Sequence, residues 1–227
     1  MSTILLALAL ALAAQQPTAP SNPPLRSDFP PPPAMLTPAH DLYFREFERL
    51  APVARTTVHQ FGACVAERSR QLAADILNRD FTTRSYDRGL HRLAATNHDC
   101  LRGRGTMRSA DLLFAGAIAE RLIAEAPEPL NVRLARAASR PAPPTYSQGD
   151  RIAVCVVRSV PDDTARLFAA EVASDAEFNA VRALELPIRA CSAGGPRVEA
   201  TAAGLRAILA TAAFRTLASV GNEEGSN

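Results

Sequence analysis

Four cysteines are the residues of this chain best equipped for chemistry. Cys64 and Cys100 stand 36 positions apart, as do Cys155 and Cys191, and the second pair follows the first by 91 residues. A cysteine thiolate can attack an electrophile or bind a metal, and two thiols can oxidise to a disulfide. His98-Asp99-Cys100 is the run that invites the first two chemistries. There Cys100 would be a nucleophile with His98 as its base, or His98, Cys100 and Cys64 would share a metal. Three observations favour the disulfide instead. The cysteine count is even, which in an exported chain reads as a staple framework. The positions 91 beyond His98 and Asp99 hold Arg189 and Ala190, so the spacing keeps the cysteine and not its neighbours. Catalytic pairs also converge from separate elements more often than from adjacent residues.

Four cysteines allow three pairings. A unit stapled within itself stays self-contained when copied, which favours Cys64–Cys100 and Cys155–Cys191. Each bridge would close a loop of about 37 residues, contributing roughly 4 kcal/mol through the unfolded chain.

The other candidates are weaker. His40, His59 and His91 follow no zinc spacing and read as solvent-facing side chains. Arg102-Gly103-Arg104-Gly105 is an arginine-bearing turn rather than an anion site, because neither arginine recurs 91 positions on. No nucleophile elbow, phosphate-binding loop, dinucleotide fingerprint or zincin helix is present. No cofactor is implied.

Helices must position these residues. Residues around the cysteines agree in the 91-residue register: Val65 with Val156, Leu93 with Leu184, Gly103 with Gly194 and Ala119 with Ala210. Repeat one with its lead-in helix is assigned to 41–126. Its helices present Val58, Phe61 and Val65, then Leu72, Ile76 and Leu77, then Tyr86, Leu90 and Leu93. The last, near 108–124, presents Phe114, Ala117, Ile118 and Leu122. Repeat two is assigned to 148–219. Val160-Pro161-Asp162-Asp163 breaks one helix and starts the next, and Ser174-Asp175-Ala176-Glu177 is a capping box. Phe178, Val181 and Leu184 are expected inward, Pro187 to end that helix, and 198–217 to form the closing helix. Between the repeats, 127–147 is a linker with a short helix at 130–138. Residues 220–227 are expected to be a disordered tail. Any groove between the repeats would be lined by Phe114, Ile118, Leu205 and Ile208.

The ends point to export. Ile4 to Ala14 is an unbroken apolar run, too short to span a bilayer. Ala11-Leu12-Ala13 suits a signal peptidase, so 1–13 reads as a signal peptide although no basic residue precedes the run. Residues 14–40 hold nine of the 18 prolines and read as a disordered, extended spacer. All the basic residues are arginine, and a net charge of +2 is too small for nucleic-acid binding. Membrane contact is expected only through the transient signal.

The segment AVCVVRSVPDDTARLFAAEVASDAEFNAVRAL, with CSAGG and the alanine-rich helix after it, resembles a group of uncharacterised exported proteins of high-GC Gram-negative bacteria. The resemblance covers repeat two well and repeat one loosely. It implies export and a duplicated helical fold, and carries no activity. The expectation is therefore an all-α protein of two tandem disulfide-stapled helical repeats, about four helices each, after a signal peptide and proline-rich spacer. It would be periplasmic or secreted. As a non-enzymatic envelope module it would bind a small ligand or another envelope protein. The alternative is an enzyme or metal protein using His98 and Cys100.

Overall fold

The helices begin where the sequence offers caps. The Thr83 hydroxyl accepts from the Tyr86 N–H at 3.4 Å, and Ser174 accepts from the Glu177 N–H at 3.2 Å. Ser147 does the same for Asp150 at 3.1 Å. Each satisfies one of the orphan donors of a first turn. Pro161 opens its helix in the first turn, where its missing N–H is not needed.

The computed structural model describes residues 52–101, 111–193 and 200–224, with side chains through 219. All belong to the unit Asp41–Asn227. The expected signal peptide, spacer and lead-in helix, His40, and the expected turn at Arg102–Gly105 fall outside the described residues. Every regular element described is helical: α1 (Pro52–Arg68), α2 (Arg70–Leu77), α3 (Arg84–Thr96), a 3-10 turn (His98–Cys100), α4 (Asp111–Ile123), α5 (Leu130–Ala138), α6 (Gln148–Ser159), α7 (Pro161–Ala169), α8 (Asp175–Ala183), α9 (Glu185–Cys191) and α10 (Ala202–Glu224). The starts of α2, α3 and α4 recur 91 residues later as the starts of α7, α8 and α10. The cap residues Thr83 and Ser174 share that offset.

Two apolar clusters form the core. The first gathers Phe61, Val65, Ile76, Leu90, Leu93 and Ile118 from α1 to α4. The second gathers Leu134, Val156, Val157, Leu167, Leu184 and Leu209 from α5 to α10. Phe168 and Phe214 pack against both. At the centre α4 lies on α10. A Cβ at Gly116 would come within 2.5 Å of Ala207 Cα, so only glycine permits this approach. Gly116 and Ala207 are themselves 91 apart.

Several expectations need correction. The segment 127–147 holds the expected short helix as α5, but it is packed rather than merely connecting: Leu134 is fully buried in the second cluster. Arg158 donates to the carbonyls of Ala137, Ala138 and Arg140 at 3.2, 2.9 and 2.7 Å, which satisfies the end of α5. Pro187 does not end a helix. α8 stops at Ala183, and Pro187 sits in the first turn of α9, where proline is tolerated. Phe178 is half-buried with Arg182 over its ring, while Glu177 takes the inward position. Leu72 is 42% exposed, since α2 turns Ala73, Ile76 and Leu77 inward instead. The closing helix runs on to Glu224, into the stretch expected as a disordered tail.

Candidate ligand cavity and the charges around it

The four cysteines pair as Cys64–Cys100 and Cys155–Cys191, and no cysteine is free. Neither a nucleophilic nor a metal-binding thiolate exists at Cys64 or Cys100 in this state. His98 is 80% exposed at its side chain, with Nε2 3.0 Å from Asp99 Oδ1. Two disulfides point to an oxidising, non-cytoplasmic environment. No helix among the described residues is long and apolar enough to cross a membrane.

His91 is exposed, as expected, and stands with Asp87 and Asp111. Their possible ligand atoms lie within 4.8 Å of one another. The Asp87 carbonyl, then the Asp111 and Asp87 carboxylates, hold the His91 pKa above its ordinary value. All three side chains are exposed, which is a poor setting for a closed metal site.

His59 departs from expectation. It is half-buried on α1, with Nε2 3.2 Å from Glu120 Oε2. Glu120 opens a buried charge network that binds four helices together. Arg206 of α10 donates to both its oxygens, Nε at 2.9 Å and Nη2 at 2.7 Å. Arg206 Nη1 reaches Glu177 Oε1 at 3.2 Å and the Ala170 carbonyl at 2.9 Å. Glu177, at the start of α8, accepts from Arg55 Nη2 at 2.7 Å and from the Ala173 N–H at 2.9 Å. Ala173 adopts φ 63°, a left-handed conformation unusual for alanine, and its hydrogen bond to a carboxylate helps hold it there.

Two arginines thus face two glutamates, as buried charges require. Burial pulls the Glu120 pKa upward, but hydrogen bonds from His59 and Arg206 outweigh it and leave the group below its ordinary value. Burial likewise disfavours charged Arg206, and Glu120 and Glu177 more than restore it. Arg55, whose Nε is buried without a protein partner, lines a pocket of about 40 Å³ with His59, Glu120 and Arg206. That is room for water rather than for a substrate.

A second buried pair anchors the other end of α10. Arg215 bonds Asp150 and donates to the Pro144 carbonyl at 2.9 Å. Its guanidinium lies 5.4 Å from the Tyr146 ring centroid and 5.9 Å from that of Phe81. Nearby, Tyr86 is pushed up to about 12, mainly by burial, with Asp111 and Asp150 adding to it and Arg215 opposing.

The cavity lies between α6, α9 and α10. It measures about 850 Å³, within the range of small-molecule sites. Its walls are aliphatic: Ile152, Val156, Val181, Ile188, Leu205 and Ile208 are among them, with Gly149, Ala153 and Gly204 between. Among the described residues, the polar lining is Glu185, Arg189 and Ser192.

The sequence explains why a cavity opens here. In α1 and α4, Phe61 and Phe114 stack with ring centroids 5.3 Å apart and fill the space between the helices. The positions 91 later are Ile152 and Leu205, which are smaller. A Cβ at Gly62 would meet the Ala117 Cβ at 2.4 Å, so α1 and α4 touch closely. The positions 91 later are Ala153 and Ile208, a pair too bulky for that approach. Smaller fillers and wider spacers together leave a gap.

Of the groove residues expected from sequence, Leu205 and Ile208 line this cavity. Phe114 and Ile118 are instead buried in the first cluster. Glu120, Glu177, Arg206, Asp150 and Arg215 were not singled out as functional. Their signal was available: Arg206 shares a helix stripe with Leu209, Ala210 and Ala213, three, four and seven residues on. A charge on an apolar stripe marks a buried partner. No protein-family model, no curated protein and no solved structure matches the chain.

Proposed function

We propose that this is an exported, periplasmic or secreted binding protein, built from two copies of one disulfide-stapled helical unit, and that its second copy holds an aliphatic ligand. The reading is non-enzymatic. It rests on the aliphatic cavity of about 850 Å³ opened where Ile152 and Leu205 stand in place of a stacked phenylalanine pair. The shared offset of caps, helix starts and disulfides supports the duplication. The disulfides support an oxidising compartment. The oxidation of Cys64 and Cys100 takes from the enzyme or metal reading the thiolates it needs.

Ile152→Phe with Leu205→Phe tests the proposal by refilling the cavity as the first half does. Calorimetric titration with decanol should give saturable one-to-one binding to the wild type, with a negative heat-capacity change. The double variant should keep its helical circular dichroism and lose binding. Equal binding by both proteins would refute the assignment.

A further inference from the structure

The mouth of the cavity carries information about the rest of the ligand. Among the described residues, its polar side chains fall on α9 and on Ser192 just after it. Glu185 and Arg189 are one helical turn apart on α9, and Ser192 follows three residues on. Side chains at such spacings share a face. Glu185 and Arg189 are both exposed, and among the described residues neither takes part in an ion pair. The Ser192 hydroxyl donates to the Ile188 carbonyl at 2.7 Å, which leaves its oxygen able to accept. Among the described residues, the wall behind them is aliphatic, with no aromatic ring and no other charge.

This arrangement is amphiphilic and carries both signs. We propose, building on the binding reading above, that the cavity takes a zwitterionic amphiphile: one aliphatic chain inside, and a head whose phosphate meets Arg189 while its ammonium meets Glu185. A purely anionic head would gain Arg189 and be repelled by Glu185 one turn away. A purely cationic head would meet the reverse. A neutral head would leave both charges to water. Only a head with two opposite charges a short distance apart matches both residues. Phospholipids and their single-chain derivatives are that class. The absence of aromatic walls favours a flexible alkyl chain over a flat ring system, because no ring face is offered for stacking.

The magnitudes decide the experiment. Chain burial should dominate affinity, at roughly fourfold per methylene. Each exposed charge pair should add only about two- to fivefold and weaken with salt. Heads must therefore be compared on one chain length. We would titrate the oxidised protein with dodecylphosphocholine, dodecyl phosphate, dodecyltrimethylammonium and dodecanol, each below its micelle concentration, at low and high salt. The phosphocholine should bind at least about fivefold tighter than dodecanol at low salt, with the difference falling in high salt.

Charge-removing variants separate the two contacts without disturbing the core. Glu185→Gln should shift preference toward dodecyl phosphate, and Arg189→Gln toward dodecyltrimethylammonium. Equal affinity for dodecanol and the phosphocholine would overturn the head assignment while leaving the aliphatic cavity standing. Tightest binding of dodecyl phosphate by the wild type would overturn it in favour of an anionic head. Binding of none of the four would remove the cavity reading itself, and the head assignment with it.

Discussion

Replacing Gly116 by alanine tests whether α4 and α10 are held at backbone contact. A Cβ there would lie 2.5 Å from both Cα and Cβ of Ala207, and 3.1 Å from its carbonyl oxygen. Two of these atoms are main chain, so no rotamer change relieves the overlap and the helices must separate. Helix propensity acts the other way, since alanine is favoured over glycine in a helix interior by about 1 kcal/mol. Overpacking a tight contact costs about 1–3 kcal/mol, and a main-chain obstacle belongs at the upper end. The expected net loss is about 1–2 kcal/mol. At roughly 2–4 °C per kcal/mol for a domain of this size, Tm should fall by about 2–8 °C. Differential scanning calorimetry of the oxidised protein measures this directly. Gly149→Ala is the comparison: it stands in the first turn of α6 and its nearest neighbour is the tip of Ile208 at 3.4 Å, an ordinary contact, so no overlap arises and Tm should not fall. Adding Ala207→Gly to the Gly116 variant removes one overlapping atom and should recover part of the loss. A rise in Tm for Gly116→Ala would refute the close contact.

Two further outcomes follow from the charges and the staples. The Glu120 pKa is lower in the folded protein than ordinarily, so its stabilisation is complete above the ordinary glutamate value of about 4.3 and is lost as pH falls through the folded value. Urea midpoints should therefore drop across that acid window. Glu120→Gln should flatten the slope and cost about 3 kcal/mol at neutral pH, because Arg206 loses its bidentate partner; an unchanged slope would exclude Glu120 as its source. Replacing Cys155 and Cys191 together by serine should weaken decanol binding, because α9 has no buried residue of its own and this bridge fixes it to α6. The same change at Cys64 and Cys100 should lower stability and leave decanol binding unchanged, and equal effects of the two changes on binding would contradict this role for α9.

Local signals in the sequence carried far. Ser174 is the expected N-cap, because a short polar side chain before an apolar period satisfies first-turn donors; Thr83 and Ser147, not singled out, cap their helices by the same local chemistry. Cysteine spacing anticipated both disulfides for a comparable reason. What was not legible depended on which helix meets which. Pro187 is equally compatible with ending one helix and beginning another, and only the packing of Ile188 against the second core decides. Glu177 looked like a capping-box residue and is one by position. Its carboxylate instead joins Arg206 and Arg55, from elements far away in sequence. The cavity was hidden because Ile152 and Leu205 are ordinary core residues. Their meaning appears only beside Phe61 and Phe114.

An apolar gap of this size would be expected to collapse unless its walls were held apart, and the charges explain how they are. α10 supplies Leu205, Ile208 and Leu209 to the cavity. Arg206 and Arg215 lie nine residues apart on that helix, or about 13.5 Å. One is fixed to Glu120 and Glu177, on α4 and α8. The other is fixed to Asp150, on the opposing wall α6. The third wall, α9, is tied to α6 by Cys155–Cys191. Sliding α10 towards α6 to close the gap would tear Arg206 from two buried carboxylates. Removing one partner of a buried pair costs about 3–5 kcal/mol. Closing the gap would regain only the burial of side chains that are already partly covered, at about 25 cal/mol per Å². On the binding reading, these charges act mechanically: bonds from Arg206 and Arg215 to α4, α8 and α6 oppose any shift of α10 that would close the aliphatic space.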